Sequence, residues 1–182
     1  MRLMTLALSS PSLIALPVLS AVLALSACNP TFNWREARVP DTALTALLPC
    51  KPEAANRPVA LGALTVDMHM LGCKAGGVTF AVVYANVVVP GQPTAVTLDQ
   101  WRVASLAAMK AQRVEVSAVK VAGAFSPPPQ KVMTYGQLGH DAPLESQSVF
   151  FAQGTQLFQA LLVGELLTAE VAEAFFSGLV VR

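Results

Sequence analysis

Three cysteines, two histidines and a thin scatter of carboxylates are the groups that could do chemistry in these 182 residues. Cys28 is the most legible of them. It closes Leu25-Ser26-Ala27-Cys28, a branched apolar residue and two small ones before a thiol. That is the pattern at which a bacterial lipoprotein leader is removed and the cysteine sulfur is acylated. The ordinary signal peptidase wants small side chains at the first and third positions before its cut. Leu25 is too large for that enzyme and suits the lipoprotein-specific one. Upstream, Arg2 is the only charge before an uncharged stretch from Leu3 to Ala27, and Leu13–Leu25 has the length of a signal core. A membrane-spanning helix wants roughly 20 predominantly apolar residues, but Pro11, Pro17 and several serines interrupt this run and no cationic cluster follows it. The expectation is a cleaved signal peptide over 1–27 and lipidation of Cys28, whose several acyl chains anchor stably where one would not. The competing reading is a buried or unpaired cysteine beside an uncleaved anchor.

Cys50 and Cys73 remain as an even pair in an oxidising compartment. A disulfide between them closes a loop of about 24 residues, worth about 3 kcal/mol in the chain-entropy treatment. The alternative is two unrelated small core residues. His69 and His140 are the only histidines, so a zinc site would need ligands gathered from elsewhere. Met68-His69-Met70 offers soft ligands for copper(I), but strand alternation turns His69 away from both methionines. Gly139-His140-Asp141 sets an acid beside an imidazole and reads as a polar turn. Gly76-Gly77 and Gly136-Gln-Leu-Gly139 lack the helix that a phosphate loop requires, and there is no Gly-x-Ser-x-Gly elbow. From this inventory we expect no catalytic residues, no metal, no cofactor and no enzyme activity. Trp34 and Arg35 could dock a partner or meet a membrane interface; the simpler reading tucks Trp34 against the domain edge.

Removing the leader leaves 155 residues, enough for one domain with a real core. Of the 12 basic residues only Arg2 goes with it, so 11 face 11 acidic ones. No basic stripe for nucleic acid exists in such a balance, and the Val, Ala and Leu content argues against disorder.

Residues 28–42 read as the lipidated cysteine and a polar tether that lets the domain sit off the membrane, and 43–182 as the domain. Ala43–Leu48 reads as a short strand or a helical turn, and 51–58 as a loop. Val59–Leu71 reads as a strand interrupted at Gly62, with Val66, Met68 and Met70 on one face and Thr65, Asp67 and His69 on the other. Ala75-Gly76-Gly77 is a hairpin turn before a long apolar strand, Val78–Val89. Leu98–Gln112 reads as a helix with Thr97 as N-cap and Gln100 as its capping-box partner, and Leu98, Trp101, Ser105, Ala108 and Met109 share its face. Strands are predicted over 114–124 and 132–135, then a hairpin, 144–152 and 155–163, about Gln153-Gly154. A second helix starts after Thr168 and ends at Gly178, before a last strand or tail over 179–181. The pattern predicts an α+β domain, a curved antiparallel sheet of about six strands flanked by two helices.

Asn33-Trp34-Arg35-Glu36, Leu47-Leu-Pro-Cys-Lys-Pro52 and Leu71-Gly-Cys-Lys-Ala-Gly-Gly-Val-Thr-Phe-Ala-Val82 together resemble uncharacterised proteobacterial lipoproteins. In that group the two cysteines occur together, which implies the Cys50–Cys73 bridge. The order of elements also resembles PsbP-like domains, which implies an α/β/α sandwich. The resemblance spans most of 33–181 and implies an address and a fold but no reaction, since fold does not dictate function. The expectation is a cell-envelope protein held to the membrane by Cys28, acting through contact with an envelope protein partner. The alternative is a periplasmic module taking a small ligand in a groove between sheet and helix. Asn29, rather than Asp, after the cysteine points to the outer membrane, facing the periplasm.

Overall fold

The computed structural model describes residues 31–62, 64–136 and 143–182. The expected leader, Cys28 and the Gly139-His140-Asp141 turn lie outside the described residues. Thr31–Arg182 forms one unit. In chain order its elements are β1 (Arg35–Arg38), β2 (Leu44–Leu48), β3 (Glu53–Leu61), β4 (Leu64–Ala75), β5 (Val78–Asn86), α1 (Thr94–Ala108), β6 (Gln112–Ala118), β7 (Gln130–Gly136), β8 (Leu144–Gln153), β9 (Gln156–Gly164), α2 (Ala169–Ser177) and β10 (Val180–Val181). A seven-stranded sheet runs in the order β3-β4-β5-β9-β8-β7-β6, and a three-stranded sheet in the order β1-β2-β10. Every pairing within both sheets is antiparallel. The fold is α+β with two helices, as the pattern predicts, but it has more than the six or so strands expected.

The extra strands are the polar ones. β3 carries Glu53, Asn56, Arg57 and Pro58 and is exposed over most of its length, so it reads as loop. An edge strand pairs through its backbone and needs no apolar face, and proline is tolerated there. What reads as one strand broken at Gly62 is instead the β3–β4 hairpin, turning at that glycine with φ of 63°. β1, Arg-Glu-Ala-Arg, falls inside the segment read as tether. It pairs with β2 from Arg35↔Leu48 to Arg38↔Thr45, and the Asn33 N–H donates to the Pro49 carbonyl at 2.8 Å. From Thr31 onward the chain is therefore part of the domain rather than a spacer.

Side chains alternate across the large sheet, and each face buries its own cluster. On one face Phe80, Val82, Tyr84, Phe151, Phe158 and Leu162 meet Leu44, Ala46 and Leu48 of the small sheet and Phe175 and Phe176 of α2. Phe151 stacks on Phe158 with ring centroids 5.0 Å apart, and Phe80 meets Phe175 edge-on at 5.7 Å. Each such ring removed from water contributes about 1.5–3 kcal/mol. On the other face Met68, Ala85, Phe150 and Leu157 lie beneath Leu98 and Trp101 of α1. Cys50, just beyond β2, is bonded to Cys73 of β4 across a Cα–Cα distance of 6.0 Å. The bridge thus ties the small sheet to the large one.

α2 begins as its sequence dictates: the Thr168 hydroxyl accepts from the Val171 N–H, and Gly178 sits at the C-cap. α1 does not. It starts a turn early, at Thr94, with Pro93 in the N-cap position and no side-chain cap. Thr97 is buried inside the helix, and its N–H already donates to the Pro93 carbonyl. Its hydroxyl accepts from Gln92 Nε2 at 2.8 Å, and the same amide reaches Gln100 Oε1 at 3.3 Å. The Thr97–Gln100 pair is thus bridged by a preceding residue, which replaces the predicted capping box.

Candidate functional site

Strand register builds one cross-strand row, Ala55↔Met70, Met70↔Val83 and Val83↔Gln159, from the β3 edge to β9 in the middle of the sheet. At about 4.8 Å between strands this row is about 14 Å long. Above it runs α1, whose Trp101, Ala104, Ser105 and Ala108, with Met109 at its C-cap, recur at helical spacing, over about 12 Å at 1.5 Å per residue. Row and helix enclose a groove of about 580 Å³, within the range of about 300–1,000 Å³ found for small-molecule sites.

The groove exists because small residues stand where large ones would fill it. Ala104 and Ala108 on α1 and Ala55 and Ala60 on β3 line it, while Trp101, Met68 and Leu61 close its buried side. Met70 stays 41% exposed on the floor, an adaptable apolar side chain left without cover.

One polar group is placed deep in this apolar space. Gln159 is buried; its amide Nε2 donates to the Ser148 hydroxyl at 3.1 Å, and its Oε1 accepts from the Ser105 hydroxyl at 3.3 Å. A glutamine amide has two donor hydrogens and two acceptor sites, so one of each remains. At the rim, exposed Arg57 has no ion-pair partner among the described residues.

The structure does not bring the sequence-singled histidine together with its flanking methionines. All three residues border the groove, but the methionines alternate with the His69 ring, which stacks on Tyr84 of the opposite face, ring centroids 5.2 Å apart. Burial of the Tyr84 phenol raises its pKa above 10.0, and the negative charge of Asp41 adds to the shift. Among the described residues there is no group of three or more His, Cys, Asp or Glu side chains that could hold a metal ion. Trp34 packs one side of its ring against Phe80 at 5.8 Å and remains half-buried at the domain edge. The α1 face that lines the groove was legible as a helical stripe. Gln159 was not, and its signal was a lone amide inside Leu-Phe-Gln-Ala-Leu-Leu.

Among the described residues no helix is long and apolar enough to cross a membrane. No protein-family model, curated protein or solved structure matches the chain.

Proposed function

We propose that the chain is a lipid-anchored cell-envelope protein whose domain holds an apolar small molecule between the large sheet and α1. The observation that carries the ligand half of this reading is the groove itself, about 580 Å³ of mostly apolar space with the Gln159–Ser105 pair inside it. Its chemistry suits a hydrophobic body bearing one neutral hydrogen-bonding group. The address rests on the Leu25-Ser26-Ala27-Cys28 motif. A bonded Cys50–Cys73 pair supports it, since structural disulfides belong to oxidising compartments, and Asn29 favours the outer membrane. A helix on each face of a continuous antiparallel sheet supports kinship with PsbP-like lipoproteins.

Thermal-shift screening with lipids and apolar metabolites tests the ligand reading. A compound at 100 times its dissociation constant adds about 2.7 kcal/mol to stability, a plain rise in melting temperature. Silence from every apolar compound retires it. A second reading, contact with an envelope protein partner, draws on the outer edge of the large sheet, where β6 is exposed throughout and Val114, Val116 and Tyr135 face solvent. Crosslinking in intact cells from a position on β6 tests that reading, and a strictly monomeric product counts against it.

A further inference from the structure

We infer that the end of the domain bearing Phe32, Trp34, the Gly76-Gly77 turn and Leu166 rests directly on the bilayer. The inference rests on the reading of Cys28 as acylated and is separate from the groove. Three residue steps separate Cys28 from Thr31. At no more than about 3.6 Å per residue they span about 11 Å, so a lipid on the Cys28 sulfur holds Thr31 close to the headgroups.

Thr31 belongs to a particular end of the molecule. A Cβ added at Gly76 would meet the Phe32 ring at 2.7 Å and Thr31 Cγ2 at 3.2 Å, so both residues lie against the β4–β5 turn. Phe32 and Trp34 are half-buried there, with centroids 5.9 Å apart. They line a hollow together with Leu166, Val171 and Ala174. Leu166 is 74% exposed, an apolar side chain with no cover from the domain. Aromatic rings with a polar handle favour the headgroup level of a membrane, and Trp34 supplies one. Among the described residues Glu170 is the one charged residue lining this hollow and no lysine or arginine lines it, so the occupant is a bilayer surface held by apolar contact rather than by anionic headgroups.

The mature acylated protein is reconstituted in phosphatidylcholine vesicles with and without acyl-chain-brominated lipid, and tryptophan emission is read. Trp101, on α1, is buried in the cluster on the other face of the sheet, so it serves as an internal reference. We expect brominated lipid to quench the wild type, Trp34→Phe to lose most of the quenching, and Leu166→Asp to weaken it. Val88→Asp should change nothing. Val88 is 70% exposed and lies just past the far end of β5, where the Val87 N–H donates to Thr155 in the β8–β9 turn. Vesicles that float with protein whose Trp34 is unquenched overturn the docking and spare the anchor. Protein that does not float overturns both. Should Trp34→Phe fail to fold, the exposed Leu166→Asp variant decides alone: unaltered quenching in it overturns the docking.

Discussion

Gln159 and Tyr84 show what a single side chain does in this protein. Gln159 is a buried amide with spare hydrogen-bonding capacity in a mostly apolar groove, so on the proposed ligand reading it is a group that discriminates between ligands. For any compound found by thermal shift that carries a carbonyl or hydroxyl, Gln159→Leu should weaken binding about tenfold, the effect of one lost hydrogen bond in an apolar site. Calorimetric titration checks this, and unchanged affinity would place the compound elsewhere. Tyr84 makes a prediction of opposite character. Its phenol is held protonated by burial and then by Asp41, so the folded chain binds that proton more tightly than the unfolded one. The stabilisation is whole below pH 10 and is lost as pH rises above it. Tyr84→Phe should therefore flatten the alkaline fall in melting temperature, measured in parallel with wild type from pH 8 upward. The cysteine pair was legible at this scale because, with Cys28 read as the acylated one, the two remaining thiols have a single way to pair. The amide was not, because a buried glutamine and an exposed one look alike in sequence.

Elements declared themselves where local chemistry closed on itself. α2 carries its start signal in Thr168 and its stop in Gly178, and both act within one turn of the residues that show them. Thr168→Ala should cost about 1 kcal/mol, the usual penalty for a lost N-cap, seen as an earlier urea midpoint at unchanged slope. α1 is the converse. Thr97 bears a capping signature, yet Pro93, four residues ahead, starts the helix and Gln92 takes the threonine hydroxyl. The alternation in β4 and the glycine turn at 76–77 were readable for the same local reason. β1 and β3 were not, although each pairs with the next strand in the chain: as exposed edge strands they bond through the backbone alone, and their polar side chains say nothing of it.

At the scale of the molecule the large sheet separates two interiors. The one shared with the small sheet and α2 contains the aromatic stack and is latched by Cys50–Cys73. Replacing both cysteines with alanine should remove about 3 kcal/mol, the value for a loop of this length, read as a lower urea midpoint. The other interior, under α1, includes the groove. Whole-molecule architecture was legible as a class, because strand and helix periodicities are local, while the strand count depended on edges.

The two interiors lie on opposite faces of the large sheet, and on the ligand reading that gives the protein a division of labour. Ala104 is exposed and lines only the groove. Ala104→Leu should occupy that space and abolish uptake, with stability changed by no more than about 0.5 kcal/mol, as at an ordinary surface position. On the proposed ligand reading, what the groove accepts can therefore be re-tailored in one chamber while the other keeps the fold whole.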